Sequence, residues 1–273
     1  MSRALKAAVV GLVLAGALAV TAPAGAAPTW APAASATIHP GVQTYTEGGQ
    51  CTANFVFYDA SDIYIGQAAH CAGTGAATDT DGCDAGSLPL GTPVEVTGAS
   101  KPGELSYSSW IALQEAGETD ANTCAYNDFA LVRLDPADHG KVNPSIPFWG
   151  GPTGITATVA SGAKVLSYGN SSLRAGITQL SPKEGVSLGQ SGGGWTHSVF
   201  TVTPGIPGDS GSAFIDKQGR AFGTLSTLAI APLAGSNGVG DLSRELAYAR
   251  SHGADVTLAN GTEAFRGPLL PVP

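Results

Sequence analysis

Apolar residues in this chain fall into short runs, each soon ended by Gly, Pro, Asp or Ser. The runs lie at 53–59, 62–69, 92–98, 108–116, 127–135, 163–169, 195–203, 212–216 and 221–230. Many short β-type runs with frequent turn signals predict an all-β protein built as barrels or a sandwich. One stretch has a different period. Val239, Leu242, Leu246 and Ala249 recur at helical spacing, with Asp241 placed to cap the start. Arg250 and His252 suit the C-terminal end of the helix dipole, and Gly253 its stop, so a helix is expected near the C-terminus. Between the β-rich halves, residues 143–154 ("NPSIPFWGGPTG") are crowded with Pro and Gly and read as a linker.

The first 26 residues carry a different message. Arg3 and Lys6 precede an apolar run from Ala7 to Val20, and Ala24-Gly25-Ala26 forms an A-x-A cleavage site. This is the pattern of a secretory signal peptide, and the apolar run is short for a membrane span. The expected mature protein is secreted and extracellular, without a membrane attachment. Residues 27–40, rich in Pro and Ala, read as an extended or disordered N-terminal extension.

Composition narrows the choice of partner. Charged residues make up 12% of the chain, and the formal net charge is −8. Loss of the leader removes Arg3 and Lys6 and no acid, which takes the charge to −10. A charge-poor, acidic surface disfavours nucleic acid and anionic membranes as partners. A monomer is expected.

The four cysteines, Cys51, Cys71, Cys83 and Cys124, have no C-x-x-C spacing. In an exported chain this points to two disulfides rather than a metal site. Three pairings are open on sequence; the sequential one, 51–71 and 83–124, is the expectation. The acidic run "DTDGCD" (79–84) reads as a surface turn held by Cys83 in preference to a calcium loop.

Three stretches carry candidate chemistry. "PGIPGDSGSAF" (204–214) holds Ser210 boxed by glycines, with an acid directly before it. "GQAAHCAG" places His70 after a predicted strand and beside Cys71. His39, His139, His197 and His252 have the look of structural or solvated imidazoles. "NDFALVRLD" sets Asp128 at the head of an apolar strand, where a partly buried carboxylate needs a partner and a histidine Nδ1–H is a good one. Asp135, before Pro136, reads as a turn acid.

Taken together, "AAHC", "NDFALVRL" and "GDSGSAF" resemble the three active-site motifs of the chymotrypsin- and trypsin-like serine peptidases, in that family's chain order. The likeness spans about residues 48–230. The Ala-, Gly- and Thr-rich exported form resembles the bacterial, actinobacterial-type branch. The resemblance implies two packed antiparallel six-stranded β-barrels, residues 41–148 and 149–273, the second ending in the C-terminal helix. It implies that Ser210 is the nucleophile, His70 its base and Asp128 the acid that orients His70. The backbone N–H groups of Gly208 and Ser210 would form the oxyanion hole. Cys51 and Cys71 resemble the disulfide that flanks the family's histidine. The implied activity is secreted serine endopeptidase action on polypeptides through an acyl-enzyme, with no metal or organic cofactor. The rival readings are a non-catalytic binding module on a peptidase fold, and an esterase using the same triad.

The chain also departs from the family pattern. Ser212 and Ala213 stand where Gly and Pro are common. Asp209, which in animal members pairs with a newly released N-terminus, would need an internal cation, with Arg174 favoured over Lys164. The specificity pocket is expected near Pro204, Ser226, Thr227 and Leu228, with no acid at its floor. His197 offers a route to glutamate recognition.

Overall fold

The computed structural model describes residues 27–76, 79–229 and 233–268. The expected leader, residues 1–26, lies outside the described residues. The elements run β1 (Gln43–Thr46), β2 (Gly49–Thr52), β3 (Val56–Tyr58), β4 (Ile63–Gln67), β5 (Pro93–Val96), β6 (Gly103–Ser108), α1 (Ser109–Ala116), α2 (Ala121–Tyr126) and β7 (Ala130–Arg133). The second half follows with β8 (Lys164–Tyr168), β9 (Pro182–Ser191), β10 (Thr196–Thr201), β11 (Ala213–Asp216), β12 (Ala221–Ala229), β13 (Ser236–Asp241), α3 (Leu242–Ser251) and β14 (Thr257–Leu258).

Strands β8 to β13 close a six-stranded barrel in the order β10-β13-β12-β11-β8-β9. The other strands form one eight-stranded sheet, β14-β3-β4-β7-β6-β5-β1-β2. The described pairings within both are antiparallel, as the all-β reading requires. The first unit differs from the expected six strands in two ways. The β1–β2 hairpin extends one edge, and β14, from the C-terminal part of the chain, covers the other by pairing Thr257 with Tyr58 and Leu258 with Phe57. Pairing a sheet edge with a later segment removes a row of open backbone groups.

Each unit has its own apolar interior. Ile63, Ile65, Val94, Leu105 and Val132 fill the first, while Val165, Val199, Phe214, Phe222 and Val239 fill the barrel. A third cluster joins the two. Phe55, Phe57, Phe129 and Leu131 from the first unit meet Leu166, Ile215, Leu242 and Leu246 from the second. Trp149, in the predicted linker, is buried in this seam and donates its indole N–H to Ser167 O at 2.7 Å. The linker is thus a packed part of the junction.

Three local expectations change. Residues 108–116 fold as the end of β6 followed by α1. Ala, Leu, Gln and Glu are good helix formers, Trp110 and Leu113 point into the core, and Gly117 ends the helix by donating its N–H to Leu113 O and Gln114 O. Val239 belongs to β13; α3 begins at Leu242, with Asp241 accepting from Arg244 N at 3.0 Å as predicted. Finally, the extension 27–40 packs against the first unit: Ile38 is fully buried and Trp30 meets the Tyr58 ring edge-on. No helix among the described residues is long and apolar enough to cross a membrane.

Candidate active site

His70 sits in a single 3-10 turn, Ala69–Ala72, directly after β4. The buried alanines around it leave little volume, so the turn can lie flat against the core. The Cys51–Cys71 bridge ties the turn to β2, and a second bridge joins Cys83 to Cys124. Asp128 precedes β7 and is almost fully buried. Its Oδ2 lies 2.7 Å from His70 Nδ1, and its Oδ1 accepts the His70 backbone N–H at 2.9 Å. This double grip fixes the ring and places Nδ1–H toward the carboxylate, leaving Nε2 as the basic nitrogen. Ser226, on β12, donates a third hydrogen bond to Asp128 Oδ2 at 2.6 Å.

The electrostatics follow from burial and pairing. Burial pushes the His70 pKa down, but the Asp128 charge and hydrogen bond outweigh it and leave it raised. Burial likewise opposes ionisation of Asp128, yet His70, Ser226 and the His70 amide together hold its pKa below the ordinary carboxylate value. The pair is therefore an ionised carboxylate beside a histidine that protonates more readily than usual.

Ser210 lies in the loop between β10 and β11. It lines the same cleft as His70, a cavity of about 760 Å³. Among the described residues, no hydrogen bond joins Ser210 Oγ to His70. Ile206 to Asp209 form a tight turn closed by Asp209 N–H to Ile206 O at 2.8 Å, with Pro207 at its second position. Gly208, the third, has φ +92°, as a type II turn requires. A Cβ there would stand 2.3 Å from Gln50 Oε1. Gln50 Nε2 and Thr52 Oγ1 hold the Gly208 carbonyl at 2.9 and 2.7 Å, and Thr52 N–H holds the Ser210 carbonyl at 2.8 Å. The next residue, Gly211, has φ +86°, and a Cβ on it would meet Thr52 O at 2.6 Å. The loop thus docks on β2 of the first unit. No acceptor among the described residues takes the N–H of Gly208 or of Ser210.

Behind this loop, Asp209 is fully buried. Its Oδ2 meets Arg174 at 2.7 Å and Lys183 at 3.0 Å, and its Oδ1 accepts Ser171 N–H at 3.0 Å. Arg174 is the expected cation. Lys183 was not anticipated, and Lys164 pairs with Glu184 instead, at 3.4 Å. Lys183 has a clear sequence signal only in hindsight: it faces inward at the start of β9, where a fully buried lysine needs an acid.

The expected pocket residues separate. Ser226, Thr227 and Leu228 line the cleft, and Pro204 does not. The Pro204 carbonyl instead accepts from Arg174 at 2.8 Å and Lys183 at 3.3 Å. Its place is taken by Gly205, Ile206, Leu225 and Asn237. Asn237 was missed because it sits beyond the last motif. It is buried and bridges the walls: Oδ1 takes Gly205 N–H at 2.9 Å, and Nδ2 reaches Gly205 O at 3.3 Å and Thr227 O at 3.2 Å. His197 is fully buried, bonds Asp241 at 2.9 Å and does not line the cleft. In the acidic run, Asp79 accepts Ala76 N–H and Asp81 accepts Cys83 N–H, which makes these carboxylates turn formers. The sulfurs of Cys83 and Cys124 beside Asp81, and of Cys51 and Cys71 beside His70, are taken up in the disulfides.

No protein-family model matches the chain, and no curated protein matches it. Solved structures do. Thermobifida fusca Protease A superposes with a TM-score of 0.51 at 17% identity, covering 82% of this chain and 99% of that one. A glutamic acid specific serine protease that utilizes a novel histidine triad in substrate binding gives 0.53 at 18%, covering 81% and 100%. Nocardiopsis protease (NAPase) gives 0.51 at 19%, covering 81% and 98%. This chain has the fold of the chymotrypsin-like serine proteases of actinobacteria.

Proposed function

We propose that the protein is a secreted serine endopeptidase, with Ser210 as nucleophile, His70 as general base and Asp128 as the acid that orients His70. The observation that carries this reading is the three-way grip on Asp128, by His70 Nδ1, the His70 amide and Ser226, beside a cleft shared by His70 and Ser210. A carboxylate held this way can serve one imidazole tautomer and stabilise its cation. That is the task of the third member of an acyl-transfer triad.

In this mechanism, a peptide carbonyl enters the cleft beside Ser210. His70 Nε2 takes the Ser210 hydroxyl proton as Oγ attacks the carbonyl carbon. The negative oxygen of the tetrahedral intermediate accepts the free N–H groups of Gly208 and Ser210, which the turn at 206–209 holds in advance. The imidazolium, stabilised by Asp128, passes its proton to the leaving amine, and the acyl group remains on Ser210 Oγ. Water, deprotonated by His70, then attacks the ester, and Ser210 is restored as the acid product leaves.

The fold of the neighbours supports a peptide substrate, and the uncharged cleft walls around Gly205, Leu225 and Asn237 favour small or medium apolar side chains before the scissile bond. His197 is buried and bonded to Asp241, which weighs against glutamate recognition by that residue. A fluorophosphonate probe should label the mature protein at Ser210 with one equivalent, and a peptide library should be cleaved. Ser210→Ala should abolish both, lowering turnover by several orders of magnitude with thermal unfolding unchanged. A folded wild-type protein that takes up no probe would overturn the assignment, and ester-only turnover would replace peptidase with esterase.

A further inference from the structure

A second carboxyl stands behind the triad, on the C-terminal helix. Glu245 lies on the face of α3 that packs into the junction and is fully buried. The neighbouring inward positions, Leu242, Leu246 and Ala249, are apolar, so packing alone would be met by another Leu. A Glu there has a polar task. Its Oε2 accepts the Thr224 hydroxyl at 3.0 Å, and the Thr224 oxygen in turn accepts Asn54 Nδ2 at 3.4 Å. Asp128 is near enough for its charge to act on the same carboxyl. Its Oε1 lies against Gly240, where a Cβ would stand 2.1 Å away and Tyr126 O is close by. No hydrogen-bond acceptor or donor meets Oε1 among the described residues.

The geometry points to Glu245 as a positioning residue for Asp128, acting through Thr224 and the strand β12 that carries Ser226. This rests on the peptidase reading given above. Ser226 holds the Asp128 carboxylate, and Ser226 and the Thr224 that binds Glu245 lie two residues apart on β12.

The neutral form follows from the surroundings. The titratable groups that face Glu245 are Asp128 before β7, Asp241 at the end of β13, and Tyr107 on β6; none of these is a cation. An isolated buried carboxylate with acids for neighbours is costly. Burial first, and then the Asp128 charge, push the Glu245 pKa well above the ordinary carboxyl range. Linkage gives the sign. The unfolded chain loses this proton in mild acid, and the folded chain keeps it, so the residue weakens folding progressively as pH rises above its unfolded pKa.

The test compares Glu245→Gln, Glu245→Leu and Glu245→Ala in the mature protein. Glu245→Gln keeps the shape and an acceptor and never ionises. Its Tm should match wild type near about pH 4 and exceed it by several degrees near about pH 8. Its kcat should stay within about twofold of wild type, while the Leu and Ala variants lose about tenfold in kcat with KM unchanged. In those two variants the His70 titration, followed by NMR of its imidazole protons, should move down toward the ordinary histidine value; in Glu245→Gln it should not. Leu or Ala variants with wild-type kcat and wild-type His70 titration would overturn the inference, as would a Glu245→Gln protein whose Tm tracks wild type at every pH. If the Leu and Ala variants fail to fold, the Tm series on Glu245→Gln still decides. The thermal and NMR readings need no turnover, so an inactive wild type would strike the peptidase reading and leave this one measurable.

Discussion

Ser226 Oγ donates to Asp128 Oδ2 at 2.6 Å, from a strand of the closed barrel to a carboxylate just before β7 of the eight-stranded sheet. The bond crosses the junction between the two units, so Asp128 is held by both halves of the molecule.

Ser226→Ala should lower kcat by about ten- to a hundredfold, because a hydrogen bond to an ionised group contributes about 1.5–3 kcal/mol. Asp128 keeps its two bonds to His70, so the loss should stay far short of that in Ser210→Ala. Steady-state kinetics on one peptide would check this. A wild-type kcat would mean that His70 alone positions Asp128.

In the proposed mechanism His70 must be neutral to accept the serine proton. Its pKa is raised, because the Asp128 charge and hydrogen bond outweigh burial. Activity should therefore rise with pH through a midpoint above about 6.5, the ordinary histidine value. The linked stability has the opposite sense. A raised histidine stabilises the fold below its unfolded pKa, and this is lost as pH rises through its folded pKa. Asp128, with a lowered pKa, contributes above its unfolded pKa and loses that contribution as pH falls through its folded one. A pH series of kcat/KM in Asp128→Asn should lack the raised midpoint.

Asp209 anchors the loop that carries Ser210 to two cations, Arg174 and Lys183, both bonded as well to the Pro204 carbonyl. Asp209→Ala would leave both charges buried without their acid, which costs about 3–5 kcal/mol. Lys183→Met removes one charge and leaves Asp209 paired with Arg174 and bonded to the amides of Ser171 and Ile206. It should cost less than half as much. Denaturant unfolding of the two variants gives the comparison, and equal losses would refute it.

In the cleft, Asn237 bridges Gly205 and Thr227, and Leu228 stands at its side, half exposed. Among the described lining residues, the carboxylates are Glu47 and Asp79, both from the first unit. Cleavage after Lys or Arg should therefore be poor, since a buried cation needs an acid at the pocket floor. Asn237→Gly should deepen the slot and Leu228→Gly widen it, each shifting a peptide-library profile toward Phe or Tyr. An unaltered profile in both variants would place the side-chain pocket elsewhere, and dominance of Lys or Arg in the wild type would refute the charge argument.

Much of this was legible along the chain. Short apolar runs bounded by Gly and Pro already specify strands, because period and turn chemistry are local properties. The helix at 242–251 was visible for the same reason, with Asp241 at its cap. His70, Asp128 and Ser210 stood out because each sits in a compact motif, and their order along the chain pointed to one kind of site. What one dimension did not hold were the meetings between distant segments. Lys183 beside Asp209, Asn237 across Gly205, Leu258 of β14 beside Phe57 of β3 and Glu245 behind Asp128 are 26, 32, 201 and 117 positions apart. No local pattern marks a buried lysine or glutamate for its partner. Residues 108–116 show the same limit at short range: their apolar content fits strand or helix, and only the place open to Trp110 and Leu113 in the core selected the helix. Sequence alone sets which residues favour burial and which can do chemistry. Tertiary packing decides which of them share a buried volume, because the charge and hydrogen-bond balance of a site is settled only when water has been excluded from it.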